Sequence, residues 1–253
     1  MKIMKNLSNK ERYSRNRLYI TPEEQELISN CKLVLGGAGL GSNIAECALR
    51  LGIENICIID GDTVELSNLN RQNYLYGDIG LYKAEVLYRR LKEINPDANI
   101  TYIADFLDRD NIENYLKGAS IAINALDFTS DIPHFFDEFC VDHNITVLHP
   151  YNLGWAALVA IVNSKQSLLS QLGDSQRFEL KMGEHIVNSF KEKGDNISWL
   201  SNIIDKLKNE GGNIPQLSVG SWGTASLCTR LLFKILTSQK IKVFPEFYYV
   251  SMV

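Results

Sequence analysis

The sequence predicts an α/β fold, a Rossmann-like doubly wound, mostly parallel sheet with helices on both faces and a helical insertion. Three observations carry the expectation. Short apolar runs alternate with stretches of helical period. The first run, Cys31 to Leu35, ends in Gly36-Gly37-Ala38-Gly39-Leu40-Gly41-Ser42 with a helical pattern behind it, and the second closes on an acidic residue, Asp60.

Taken in order, Thr21 caps an amphipathic stretch from Pro22 to Ile28, and the strand Cys31–Leu35 follows. After the glycines, Ile44, Ala45, Ala48, Leu49 and Leu51 recur at helical spacing until Gly52 stops them. Ile56–Ile59 is apolar throughout, as a strand buried on both faces must be. A helix over Leu81–Ile94 ends before Pro96; a strand Ile100–Ala104, a short helix Asn111–Leu116, a strand Ile121–Leu126, a helix Pro133–His143 and a strand Ile145–Leu148 come next. Alternation of this kind places parallel strands in one sheet through right-handed crossovers. Ala156–Val162 reads as a further strand, Thr224–Leu236 as the last helix and Lys242–Tyr249 as the last strand. The expected organisation is one domain, with an N-terminal helical arm over residues 1–30, a nucleotide-binding body over 31–163, a helical insertion over 164–214 and a C-terminal helix and strand over 215–253. The insertion has too little apolar material for a core of its own.

Composition narrows the function. The longest apolar run, Ala156 to Val162, is far short of the ~20 residues of a membrane-spanning helix, and the polar start has no signal-peptide core, so a cytoplasmic protein is expected. A formal net charge of -4 speaks against a dedicated nucleic-acid binder. Cys31, Cys47, Cys57, Cys140 and Cys228 show no close pair, so no zinc site is expected and the thiols read as small buried hydrophobes. His134, His143, His149 and His185 are dispersed; only His149, at a strand end, invites a substrate contact.

A glycine turn between strand and helix suits a nucleotide, because helix N-terminal amides face its phosphates and absent side chains admit it. Gly37, Gly39 and Gly41 are the candidates, and Asp60, about 20 residues on, is placed to accept from ribose hydroxyls. The pair alone does not separate NAD from ATP. The residues that follow, Asp60-Gly61-Asp62-Thr63-Val64-Glu65-Leu66-Ser67-Asn68-Leu69-Asn70-Arg71-Gln72, resemble the ThiF/MoeB/HesA family, bacterial relatives of ubiquitin-activating enzymes. Arg12-Tyr13-Ser14-Arg15, Lys83 after Gly80, Ile94-Asn95-Pro96 and Asp127 fall in the same order.

The resemblance implies ATP-dependent adenylation of the C-terminal carboxylate of a small ubiquitin-like protein or peptide, with ATP and Mg2+, in a homodimer whose Arg15 reaches the partner's site. Charge logic agrees: a carboxylate attacking a phosphate brings anions together, which Arg71 and Lys83 would offset. Asp127 would hold Mg2+, and Asp62, Ser67 and Asn68 would contact the nucleotide. Thioester-forming relatives carry a cysteine beyond the nucleotide domain, and none stands here in a comparable place; Phe128 also replaces the asparagine that commonly follows the acidic residue. The expected enzyme therefore stops at the acyl-adenylate. The alternatives are a dehydratase that activates a carboxylate on modified tRNA, and a non-catalytic nucleotide-binding partner protein.

Overall fold

The computed structural model describes residues 11–192 and 197–252; the first ten residues of the expected arm and residues 193–196 of the expected insertion lie outside the described residues. Helix α1 (Pro22–Ser29) opens on the Thr21 cap. The Thr21 hydroxyl accepts from Glu24 N at 3.2 Å and the Glu24 carboxylate accepts from Thr21 N at 2.8 Å, satisfying two amides reciprocally. The alternating body is β1 (Lys32–Gly36), α2 (Gly41–Leu51), β2 (Asn55–Ile59), α3 (Lys83–Ile94), β3 (Asn99–Ile103), α4 (Ile112–Leu116), β4 (Ile121–Asn124), α5 (Ile132–Asp142) and β5 (Thr146–Asn152). Strand β6 (Ala156–Val162), helices α6 (Phe178–Glu192), α7 (Ser198–Glu210) and α8 (Ser218–Leu236), and β7 (Phe247–Ser251) follow.

The seven strands form one sheet in the order β3-β2-β1-β4-β5-β6-β7. Strands β1 to β5 pair in parallel, and β6 and β7 add antiparallel neighbours at one side. Side-chain alternation splits each apolar run between two cores. Leu33 and Leu35 of β1, with Ile121 and Ile123 of β4, meet α2, α3 and α8 on one face. Val34 and Ala122 between them meet α5 and α6 on the other, in a cluster built on Phe136, Phe178, Met182 and Ile186. The described part of the insertion shares this second cluster through Leu200 and Ile204 of α7. Register puts Gly36 of β1 level with Ile59 of β2 and Asn124 of β4, so three strands end together where the strand order reverses, the crevice in which open α/β sheets bind ligands.

Four elements differ from expectation, the first being β5, which runs on to Asn152 rather than ending at Leu148. Strand β4 stops at Asn124 rather than Leu126, which leaves Asp127 in the loop beyond it. Helix α8 begins at Ser218, six residues before the expected Thr224. Its early glycines obscure the helical pattern because they serve close packing: a Cβ on Gly220 would stand 2.1 Å from Asn152 Oδ1 and 2.6 Å from Gly154 O. The last strand is Phe247–Ser251, not Lys242–Tyr249. A turn closed by Glu246 N donating to Val243 O at 3.0 Å precedes it, and Pro245 has no N–H to give a ladder.

One buried carboxylate pins the segment before α3 to α2. Glu46 of α2 accepts from Arg50 Nε at 2.9 Å, from Arg90 Nε at 2.7 Å and from Asn73 Nδ2. Asn73 N in turn donates to Ser42 Oγ at 2.9 Å. Burial pushes the Glu46 carboxyl pKa up, but the bonds from Arg90, Asn73 and Arg50 outweigh it and hold the group below its ordinary value. An acid depressed in the folded state stabilises fully above its unfolded pKa of about 4.3 and ceases to as pH falls through the lower folded value. Glu46→Gln is expected to lose about 2 kcal/mol at pH 7 in urea unfolding, and to lose with it the part of the acid-side decline in stability that Glu46 causes in the wild-type chain.

Candidate functional site

The β1–α2 turn is held open by glycine and clamped at one residue. Gly37 has φ +91°, and a Cβ there would stand 2.4 Å from Ala125 O, so no other residue fits. The next residue, Ala38, is gripped at both its N–H and its C=O. Asp60 Oδ2 accepts from Ala38 N at 2.6 Å, and Tyr74 donates its hydroxyl to Ala38 O at 2.7 Å. Asp60 Oδ1 accepts from Asp62 N at 2.7 Å, which fastens the following loop to the same carboxylate. Burial raises the Asp60 pKa, against the pull of the Ala38 bond, the Lys83 charge and the Asp62 bond. Burial and the nearby Asp60, Asp78 and Asp62 charges raise the Tyr74 hydroxyl well above its usual value, keeping it a donor.

Leu40, at the N-cap of α2, offers no side-chain acceptor, so the helix start faces the crevice uncapped and attracts an anion. Two cations stand near it. Lys83, the first residue of α3, is 8% exposed and its Nζ donates to Asp62 Oδ2 at 2.9 Å. Arg71 donates from Nε to Gln216 Oε1 at 2.6 Å and from Nη1 to Ser67 O at 2.8 Å and Asn70 Oδ1 at 2.9 Å. Its Nη2 has no partner among the described residues.

These groups line a cavity of about 640 Å3 that runs across the strand ends and beneath α6. Of the sequence candidates, Gly37, Gly39, Asp60, Asp62, Arg71, Lys83 and Asp127 line it. Asp127 is exposed and makes no hydrogen bond or ion pair with the described residues. Gly41 lies outside the lining and packs α2 on β1, where a Cβ would meet the Leu35 side chain at 2.9 Å. Ser67 and Asn68 also lie outside it: Asn68 Oδ1 accepts from Glu65 N at 2.9 Å and Ser67 donates to Glu65 Oε2 at 3.2 Å. Arg15 sits exposed on a 3-10 turn, Ser14–Asn16, away from the cavity.

The cavity's far half is built from residues with no spacing signal. His149 of β5 faces Asp137 of α5, Nε2 to Oδ1 at 2.7 Å, both side chains 1% exposed. Asn124 donates to the same Oδ1 at 2.9 Å and to Pro133 O at 2.8 Å. Tyr151, Glu179, Gln72 and Gln216 also line the cavity. They stand far apart along the chain, and only the β5 end and the insertion's return bring them together. No cysteine lines it. Cys140 and Cys228 are fully buried, and burial raises both thiols.

The ThiF family model matches residues 13–193. The chain belongs to the ThiF family. It is 43% identical over 96 residues to a tRNA threonylcarbamoyladenosine dehydratase of Escherichia coli, covering 37% of this chain and 36% of that protein. It is 38% identical over 122 residues to the Bacillus subtilis sulfur carrier protein ThiS adenylyltransferase, covering 46% and 36%. These matches thus span little more than a third of each relative. Escherichia coli MccB, solved with ATP, superposes with a TM-score of 0.70 at 20% identity over 95% of this chain and 71% of that one, a likeness of fold. For a ThiF-family chain the cavity's near half fits a nucleoside triphosphate: a glycine turn without side chains, an uncapped helix start and two cations with donors to spare. Asp127 is a single uncommitted carboxylate beside them, which suits Mg2+, an ion usually held by one or two carboxylates plus the phosphates it bridges.

Gly37→Ala is expected to cost more than about 2 kcal/mol of stability, from the forced positive φ and the clash with Ala125. Any folded fraction should lose ATP binding in calorimetry, whereas Gly77→Ala, at a glycine with nothing within 4 Å, should keep both.

Proposed function

We propose that this chain adenylates the C-terminal carboxylate of a small ubiquitin-like protein or peptide, using ATP with Mg2+ and releasing pyrophosphate, and that it forms acyl-AMP without a catalytic cysteine of its own. The observation that carries the reading is the pairing of Arg71 and Lys83 at one cavity with the clamped glycine turn. Attack of a carboxylate on the α-phosphate gathers negative charge there, and preorganised cations stabilise that charge without reorganising. Asp62 holds the Lys83 ammonium in place, and Ser67, Asn70 and Gln216 hold the Arg71 plane. The buried thiols and the cysteine-free cavity support a reaction that leaves the acyl group on AMP for another nucleophile. Relatives named for ThiS adenylation support a protein or peptide carboxylate as substrate.

In the proposed homodimer, exposed Arg15 would serve the partner's site. No helix among the described residues is long and apolar enough to cross a membrane, in keeping with the cytoplasmic location proposed. Relatives named tRNA threonylcarbamoyladenosine dehydratase support the second reading, activation of a carboxylate on modified tRNA. ATP–pyrophosphate exchange separates the two when run with glycine-ended ubiquitin-like proteins, short peptides and threonylcarbamoyladenosine-bearing tRNA. Exchange is expected with a protein or peptide, falling at least about 100-fold in Arg71→Ala and in Lys83→Ala, and strongly in Asp127→Ala. Exchange with the tRNA alone would give the second reading; exchange surviving in all three variants would remove the site assignment.

A further inference from the structure

Beyond the phosphate half, the cavity holds no lysine or arginine among its lining residues. Its far wall presents the Glu179 carboxylate, half-buried and without an ion pair among the described residues, and His149, behind which Asp137 is sealed. Two sealed polar atoms there have no partner: Asp137 Oδ2 and the Tyr151 hydroxyl. The proton on the pair can be placed from its neighbours. Asn124 must turn its amide nitrogen toward Pro133 O, which only accepts, and the same nitrogen donates to Asp137 Oδ1. The Asp137 carboxylate therefore accepts from Asn124 and from His149 Nε2–H. That fixes the tautomer: when the His149 ring is neutral its hydrogen is on Nε2, and its Nδ1 has no partner among the described residues while the ring lines the cavity.

We propose that this half of the cavity receives an amine nucleophile and that His149 takes its proton, with Asp137 as the positioning residue. The inference rests on the adenylation reading above. The Glu179 carboxylate lines this wall without an ion pair among the described residues, so it attracts an ammonium and repels a thiolate or persulfide. An ammonium cannot attack until it is deprotonated, and the lone pair at His149 Nδ1 supplies that step. The bound ammonium gives one proton to Nδ1, which passes it to cavity water. The amine lone pair then forms the C–N bond to the acyl carbon, the acyl C–O bond breaks with its electrons leaving on AMP, and the second proton follows the same route. The product is an amide and AMP. The other titratable groups near the pair are His134 and Cys140 on α5, Tyr151 on β5 and Glu179 on α6.

The test uses whichever carboxylate substrate supports exchange, with ammonium and methylamine as amine probes, and compares amide formation with exchange in the same protein. In His149→Gln the ratio of amide formation to exchange is expected to fall about 100-fold, and in Asp137→Asn by a smaller factor. In His149→Ala, added imidazole should restore amide formation and leave exchange unmoved, a response that a merely structural histidine does not give. Thermal melts of the three variants check that each is folded. An unchanged ratio in His149→Gln, or equal loss of both activities with no imidazole rescue, overturns the proposal. Absence of exchange in the wild-type chain with every substrate overturns the adenylation reading itself and removes this proposal with it.

Discussion

The Ala38 backbone is the point on which the rest of the site depends. Its N–H is held by Asp60 from the end of β2 and its carbonyl by Tyr74 from the segment before α3. Three separate stretches of chain meet there, all buried, and each bond is made in a low-dielectric setting where loss of one partner leaves the other unsatisfied. The clamp sets the path of the glycine turn, and with it the direction of α2 and its uncapped amides. It also sets Asp62, since the second Asp60 oxygen holds that residue's N–H, and Asp62 in turn aims Lys83. One carboxylate thus connects turn, loop and cation.

The cavity has two ends of different chemistry. Arg71, Lys83 and the start of α2 offer donors to phosphates at the near end, whereas Glu179 and the His149 ring offer acceptors at the far end. Such a division suits the proposed reaction, in which an anionic leaving group and a nitrogen nucleophile approach one carbonyl from different sides. The insertion takes part in the site: its α6 supplies Glu179 and Met182 to the far wall, its Asn213 and Ile214 also line the cavity, and Gln216, just past its end, holds Arg71. It therefore acts on the site directly, beyond packing against the sheet through Phe178 and Ile186.

Most of the alternating body was legible because its signals are local. A run such as Leu33-Val34-Leu35 stops at glycines, and Thr21 with Glu24 marks a helix start within four residues. The glycine turn, Asp60, Asp62, Arg71 and Lys83 were legible for the same reason, since they lie within about 50 residues of one βαβ unit. The start of α8 was hidden because Gly220 and Gly223 serve contacts with distant residues, which no window along the chain contains. Ser67 and Asn68 shape the loop that presents Arg71, a role a motif string does not distinguish from ligand contact. Asp137, Glu179 and Gln216 left no trace, because each reaches the site only through tertiary packing.

The central claim is that a carboxylate attacks the α-phosphate in this cavity and that the resulting acyl group leaves AMP for a nucleophile other than a cysteine. Oxygen-18 placed in the substrate carboxylate tests it most directly, with mass spectrometry of the nucleotide products. The account predicts one labelled oxygen in AMP, unlabelled pyrophosphate, and no covalent adduct on any of the five cysteines. Label appearing in inorganic phosphate alongside ADP, or a substrate-sized adduct on a cysteine, would contradict it.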